Sequence, residues 1–144
     1  MGSISRRDLI RVGAWSVPAV AVAVAVPAAA ASTLPAGTVN QVFVYQQFAN
    51  SVNWTWNATN TSGETAQLTV TLDLGSFAHA GWLGSAWSRS GNTYVSKAQV
   101  ASGSQVGNCT VVLAAPSGTT GIVVATISAP GARSESYPFT ITIP

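Results

Sequence analysis

The chain has 144 residues, 47% of them hydrophobic and 7% charged, with a formal net charge of +2, one cysteine and one histidine. A single cysteine excludes an intrachain disulfide, and one cysteine with one histidine cannot furnish a tetrahedral zinc site from those ligands. Arg6, Arg7 and Arg11 against Asp8 account for the whole positive surplus, while Arg89, Lys97 and Arg133 balance Glu64, Asp73 and Glu135; a neutral remainder without basic clusters lacks the electrostatic footprint of a nucleic-acid binder.

The first segment in chain order is Ser5-Arg6-Arg7-Asp8-Leu9-Ile10-Arg11. Residues 12–31 follow without a charge, and Pro27-Ala28-Ala29-Ala30-Ala31-Ser32 offers Ala29-x-Ala31 as a small-residue cleavage site. The segment resembles the twin-arginine (Tat) signal pattern S-R-R-x-F-L-K. Ser5, Arg6 and Arg7 match it, Leu9 stands where Phe is usual, Ile10 where Leu is usual, and Arg11 replaces Lys. The resemblance implies passage through the Tat translocase, cleavage after residue 31 and an extracytoplasmic domain over residues 32–144. The alternative is a retained anchor, since about 20 apolar residues can span a bilayer. Against it, Ala is weakly hydrophobic, and Pro18 and Pro27 interrupt the run. Export of a protein folded in a reducing cytoplasm agrees with the scarcity of cysteine. Cys109 is read as a small buried hydrophobe, with an intermolecular disulfide as the alternative.

Beyond the signal the pattern has period two, the signature of strands. In residues 51–59, Val52, Trp54, Trp56 and Ala58 share one face, and Asn53, Thr55, Asn57 and Thr59 the other. In residues 66–74, Leu68, Val70, Leu72 and Leu74 alternate with Gln67, Thr69, Thr71 and Asp73. These two segments, joined by the turn-rich Asn60-Thr61-Ser62-Gly63-Glu64-Thr65, are expected to pair as adjacent antiparallel strands. Further strands are predicted over residues 39–45, 93–100, 109–113, 121–127 and 136–143. Pro138 marks the last as an edge strand or a strand start. Residues 75–92, with two tryptophans and His79, are expected to hold one irregular strand around Trp82 to Trp87. The sum is an all-β domain, an immunoglobulin-like β-sandwich of about seven strands, with a small barrel as the second choice.

Gly81-Trp82, Gly91-Asn92-Thr93-Tyr94, Ala101-Ser102-Gly103-Ser104 and Val123-Val124-Ala125-Thr126-Ile127-Ser128-Ala129 occur in that order. This half of the chain resembles bacterial surface Ig-like domains, the DUF11-type and conserved-repeat modules. The resemblance implies an extracytoplasmic structural or adhesive module and no activity.

Candidate chemistry is sparse. His79 is the single imidazole, and no G-x-S-x-G elbow accompanies the many serines, so a small hydrolase is the weakest reading. Cys109 with His79 as a thiol dyad is weaker still, because Cys109 sits in an apolar strand. Glu64, Asp73 and Glu135 are scattered, without the spacing of a calcium loop, and no cofactor or metal is expected. The aromatic residues are the best lead, since exposed planar rings stack on sugars. Trp54 and Trp56 belong to the core face. Trp82 is read as core too, by the Gly-Trp resemblance; Trp87, beside Ser88 and Arg89, is the ring expected to be exposed, and Trp82, Trp87 or Tyr94 is the candidate for a ligand site. The expected partner is a cell-wall glycan or a surface protein.

Overall fold

The computed structural model describes residues 34–144. Arg6, Arg7, Arg11, Ala29 and Ala31 of the expected signal lie outside the described residues. Nine strands follow in chain order: β1 (Gly37–Phe48), β2 (Ser51–Asn60), β3 (Thr69–Asp73), β4 (Ala78–Leu83), β5 (Trp87–Ser90), β6 (Thr93–Ser96), β7 (Gln105–Ala114), β8 (Thr120–Ser128) and β9 (Glu135–Thr142). They form a four-stranded sheet ordered β1-β2-β7-β4 and a five-stranded sheet ordered β5-β6-β3-β8-β9. The ladders of both sheets are antiparallel. The fold is an immunoglobulin-like β-sandwich.

Alternation builds the core. Val52, Trp54, Trp56 and Ala58 of β2 are buried toward Val70 and Leu72 of β3, Val123, Ala125 and Ile127 of β8, and Val111 and Leu113 of β7. Each fully buried side chain of this size contributes about 1.5–3 kcal/mol relative to exposure. Aromatic packing adds geometry to that burial. The Trp56 ring meets Trp87 at 5.0 Å and Tyr94 edge-on at 5.6 Å, within the range where tilted and T-shaped pairs are favourable.

Two expectations about connectivity are corrected. β2 and β3 do not pair; they lie in different sheets. The reason lies in Asn60, which is fully buried. Its Nδ2 donates to the Glu64 and Val100 carbonyls at 2.8 and 2.7 Å, and its Oδ1 accepts from the Ser62 N–H and hydroxyl at 2.9 and 2.7 Å. This satisfied network turns the chain out of one sheet toward the other instead of closing a hairpin. Likewise, residues 75–92 hold two strands in different sheets, β4 and β5, rather than one. Between them the Trp87 N–H donates to the Gly84 carbonyl at 3.1 Å. The expected strand over residues 93–100 ends at Ser96, whose hydroxyl donates to the Ala98 carbonyl at 2.9 Å and accepts from the Leu68 N–H. β9 is an edge strand, as Pro138 predicts, because a missing N–H costs least there.

The β5–β6 hairpin closes through Gly91-Asn92, with Ser90 opposite Thr93. Gly91 has φ +60°, the left-handed value that the first position of a II′ turn requires. Bulges matter more for the surface. The register shifts between Gln41 and Phe43 in β1 and between His79 and Gly81 in β4, and each shift changes which side chains face outward.

Candidate functional site

The structure corrects the expectation of an exposed Trp87. Trp87 is fully buried; its neighbours Ser88 and Ser90 take the opposite face of β5, and its Nε1–H donates to the Gly107 carbonyl at 2.8 Å. Tyr94 is also fully buried, so the platform expected on Trp82, Trp87 and Tyr94 is not a surface. Trp82 lies half-buried against the core, its ring edge-on to Tyr94 at 5.7 Å. These rings are drawn inward because β4, β5 and β6 flank the sandwich interior and present alternate residues to it.

His79 donates to or accepts from the Tyr94 hydroxyl at 2.9 Å. Burial first, and then the Arg89 charge, holds the imidazole below its usual range. Burial pushes the Tyr94 phenol up to about 12 and the Cys109 thiol up to about 12. Cys109 is fully buried opposite Trp56, so it packs as a small hydrophobe and is not poised as a thiolate. The acidic residues serve the fold. Asp73 Oδ1 accepts from the Gly75 N–H at 3.1 Å, and Glu135 pairs with Arg133 at 2.7 Å on the surface. Among the described residues no three of His, Cys, Asp and Glu come together as a metal site.

A cavity of about 410 Å³ opens beside the β6–β7 connection, lined by Ala86, Lys97, Gln99, Val100 and Gln105 among others. Its size falls in the small-ligand range. Lys97 is the single charged residue in its wall, and neither His79 nor Tyr94 borders it.

The outer face of the four-stranded sheet is a different kind of surface. Cross-strand partners share a face, so the register defines its rows. Phe48, Ser51, Ala114 and Ala78 form one row; Tyr45, Asn53, Val112 and Gly81 the next; Phe43, Thr55, Thr110 and Leu83 the third. Asn40, Asn57 and Asn108 continue it as a ladder of side-chain hydrogen bonds at 3.4 and 3.3 Å. Along its β1 margin Phe43, Tyr45 and Phe48 are 45%, 50% and 64% exposed, and Leu83 on the opposite margin is 75% exposed. The Phe43 and Tyr45 rings lie 5.7 Å apart, tilted by 34°. No charged side chain occurs in these rows.

The other outer face contrasts with it. There Ser90, Thr93, Thr71, Thr126 and Ser136 form one continuous row, with hydroxyl contacts between Thr71 and Thr93 and between Thr126 and Ser136. Ile122 is the large apolar side chain exposed on that sheet.

Sequence reasoning missed Phe43, Tyr45, Phe48 and Leu83. Strict alternation from Val39 would carry Phe43 and Tyr45 inward. The bulge after Gln41 reverses the phase, sending both rings out while Val44 packs opposite Trp54. An aromatic pair at i and i+2 was the available signal, and the bulge hid its direction.

No protein-family model matches the chain, and no curated protein matches it. Among solved structures, a DUF4466 family protein from Parabacteroides merdae ATCC 43184 aligns at 10% identity with a TM-score of 0.41. The alignment covers 75% of this chain, and the chain spans 43% of that protein.

Proposed function

We propose that the chain is an exported, non-catalytic structural or adhesive module of the bacterial cell surface or extracellular space. Its contact surface is the outer face of the four-stranded sheet. One observation carries the reading: the large exposed side chains Phe43, Tyr45, Phe48 and Leu83 gather on one uncharged face of one sheet, whereas a continuous row of the other sheet presents hydroxyls. Grouped exposed apolar residues mark interaction surfaces, while singly scattered ones need no explanation. The Ser5-Arg6-Arg7 motif supports export by the Tat translocase. The DUF11-type resemblance supports a surface role and rests on short Gly, Ala and Thr strings. The rival idea of a thiol nucleophile is disfavoured by the burial of Cys109 and its raised pKa.

Fractionation of producing cells tests the proposal. The wild-type chain is expected in the envelope or the medium. An Arg6→Lys/Arg7→Lys variant is expected to stay in the cytoplasm. A Phe43→Ala/Tyr45→Ala variant is expected to be exported and released from the envelope. Retention of the wild-type chain in the cytoplasm would overturn the export reading. Envelope association unchanged in the aromatic variant would overturn the contact-face reading.

A further inference from the structure

We infer that the outer face of the four-stranded sheet binds a neutral polysaccharide, with Phe43, Tyr45 and Phe48 as its stacking platform. The inference rests on the contact-face reading above and names the occupant of that face.

Three rings lie on the same face of one strand: Phe43 and Tyr45 with centroids 5.7 Å apart, and Phe48 beyond the register shift after Gln46. A linear polymer of flat-faced rings can engage such a series unit by unit, each aromatic face meeting the C–H face of a sugar. The rows hold no carboxylate, ammonium or guanidinium, and with Ser51, Asn53 and Thr55 of β2 buried the exposed margin is rings and alkyl groups, which complements an uncharged ligand and opposes an acidic glycan or a nucleic acid.

Polar groups lie beside the rings. Asn53, 5% exposed, donates from Nδ2 to the Tyr45 hydroxyl oxygen. That leaves the phenolic hydrogen of Tyr45 available as a donor to a ligand hydroxyl. Asn53 Oδ1 and Ser51 Oγ, in the rows of Tyr45 and Phe48, are buried without a hydrogen-bond partner. Buried acceptors left unpaired are costly, so a bridging water or ligand hydroxyl that reached them would relieve that cost. Asn40, Asn57 and Asn108 hold one another by bonds of 3.3–3.4 Å, long enough to exchange readily for ligand hydroxyls.

The test is co-sedimentation of the full chain with microcrystalline cellulose, chitin and insoluble β-1,3-glucan, with analytical ultracentrifugation of the same samples. Wild type, Phe43→Ala/Tyr45→Ala and, on the opposite sheet, Ile122→Ala are compared, each checked for folding by far-UV circular dichroism. Tyr45→Phe keeps the ring and removes the hydroxyl, so it guards against a folding defect in the double variant. The expected result is saturable binding to at least one polymer, weakened about ten-fold or more in the double variant, weakened less in Tyr45→Phe and unchanged in Ile122→Ala. Raising salt from about 0.05 to 0.5 M is expected to change the affinity less than about two-fold, because no ion pair forms. Absence of saturable binding to all three polymers, or binding indifferent to the double substitution in a folded protein, would overturn the inference. A dimer that the double substitution dissolves would assign the face to a second copy, overturning the sugar inference while leaving the contact-face reading. A monomer that binds no sugar and whose double variant still associates with envelopes would overturn both.

Discussion

Trp87 decides between two accounts of the aromatic residues, and its replacement by alanine gives a measurable answer. The indole is fully buried, meets Trp56 at 5.0 Å and donates its N–H to Gly107 at 2.8 Å. Truncating a buried Trp to Ala costs about 3–5 kcal/mol through lost transfer energy and the cavity left behind. Within that total, the aromatic pair accounts for about 0.5–1.5 kcal/mol and the hydrogen bond for about 1 kcal/mol. Domains of this size are stable by about 5–15 kcal/mol, so Trp87→Ala removes a large fraction of the total. With a urea m-value of about 1–3 kcal/mol/M, the midpoint falls by at least about 1 M. Trp87→Phe keeps a ring in place and loses the N–H donor, so its midpoint should lie between the two. Urea titration followed by far-UV circular dichroism measures all three, without relying on the fluorophore being replaced. A Trp87→Ala midpoint shift equivalent to less than about 0.5 kcal/mol, the range of ordinary surface substitutions, would refute the burial and with it the inward placement of β5.

Asn60→Ala orphans the Ser62 N–H and takes one of two donors from each of the Glu64 and Val100 carbonyls, which keep the Ser62 hydroxyl and the Ala66 N–H; it should cost about 1–3 kcal/mol by chemical denaturation, the range for one unsatisfied buried group. Cys109 should resist an aromatic disulfide reagent at neutral pH in the native protein and react fully in denaturant; rapid native labelling would contradict its burial. At alkaline pH the sign follows from raised folded-state values. The contributions of Cys109 and Tyr94 are fully present below their ordinary values of 9.0 and 10.0 and are lost as pH rises toward about 12. Thermal melts should therefore fall from about pH 9 upward, and Cys109→Ala should flatten the first part of that fall. His79 has a lowered folded-state value, so the unfolded chain binds its proton first. Its contribution is present above the ordinary 6.5 and lost as pH falls below it, and His79→Gln should reduce the acid-side loss of Tm.

The sandwich was legible because β2, β3 and β9 alternate cleanly in sequence. Trp54 and Trp56 share the core face with Val52, as their spacing implies, and β9 takes the edge that Pro138 marks. Sheet membership was not legible. Whether residues 60–68 close a hairpin or cross between sheets depends on the buried contacts of Asn60 with Val100, 40 positions away, which no local pattern reports. Trp87 misled because its neighbours are polar; in a short edge strand, Ser88 and Ser90 belong to the opposite face and say nothing of its own. The contact face was hidden for a third reason. Phe43 and Tyr45 stand in phase with Val39 in the sequence, and one extra residue after Gln41 turns them outward. Bulges arise from backbone geometry across two strands, and β1 alone carries no mark of this one.

The most direct test of the contact-face account is hydroxyl-radical footprinting of the full chain, free and bound to isolated cell envelopes, read by mass spectrometry. The account predicts that Phe43, Tyr45, Phe48 and Leu83 lose reactivity on binding while Ile122 on the opposite sheet keeps it. Protection of Ile122 with undiminished labelling of Phe43 and Tyr45 would contradict it.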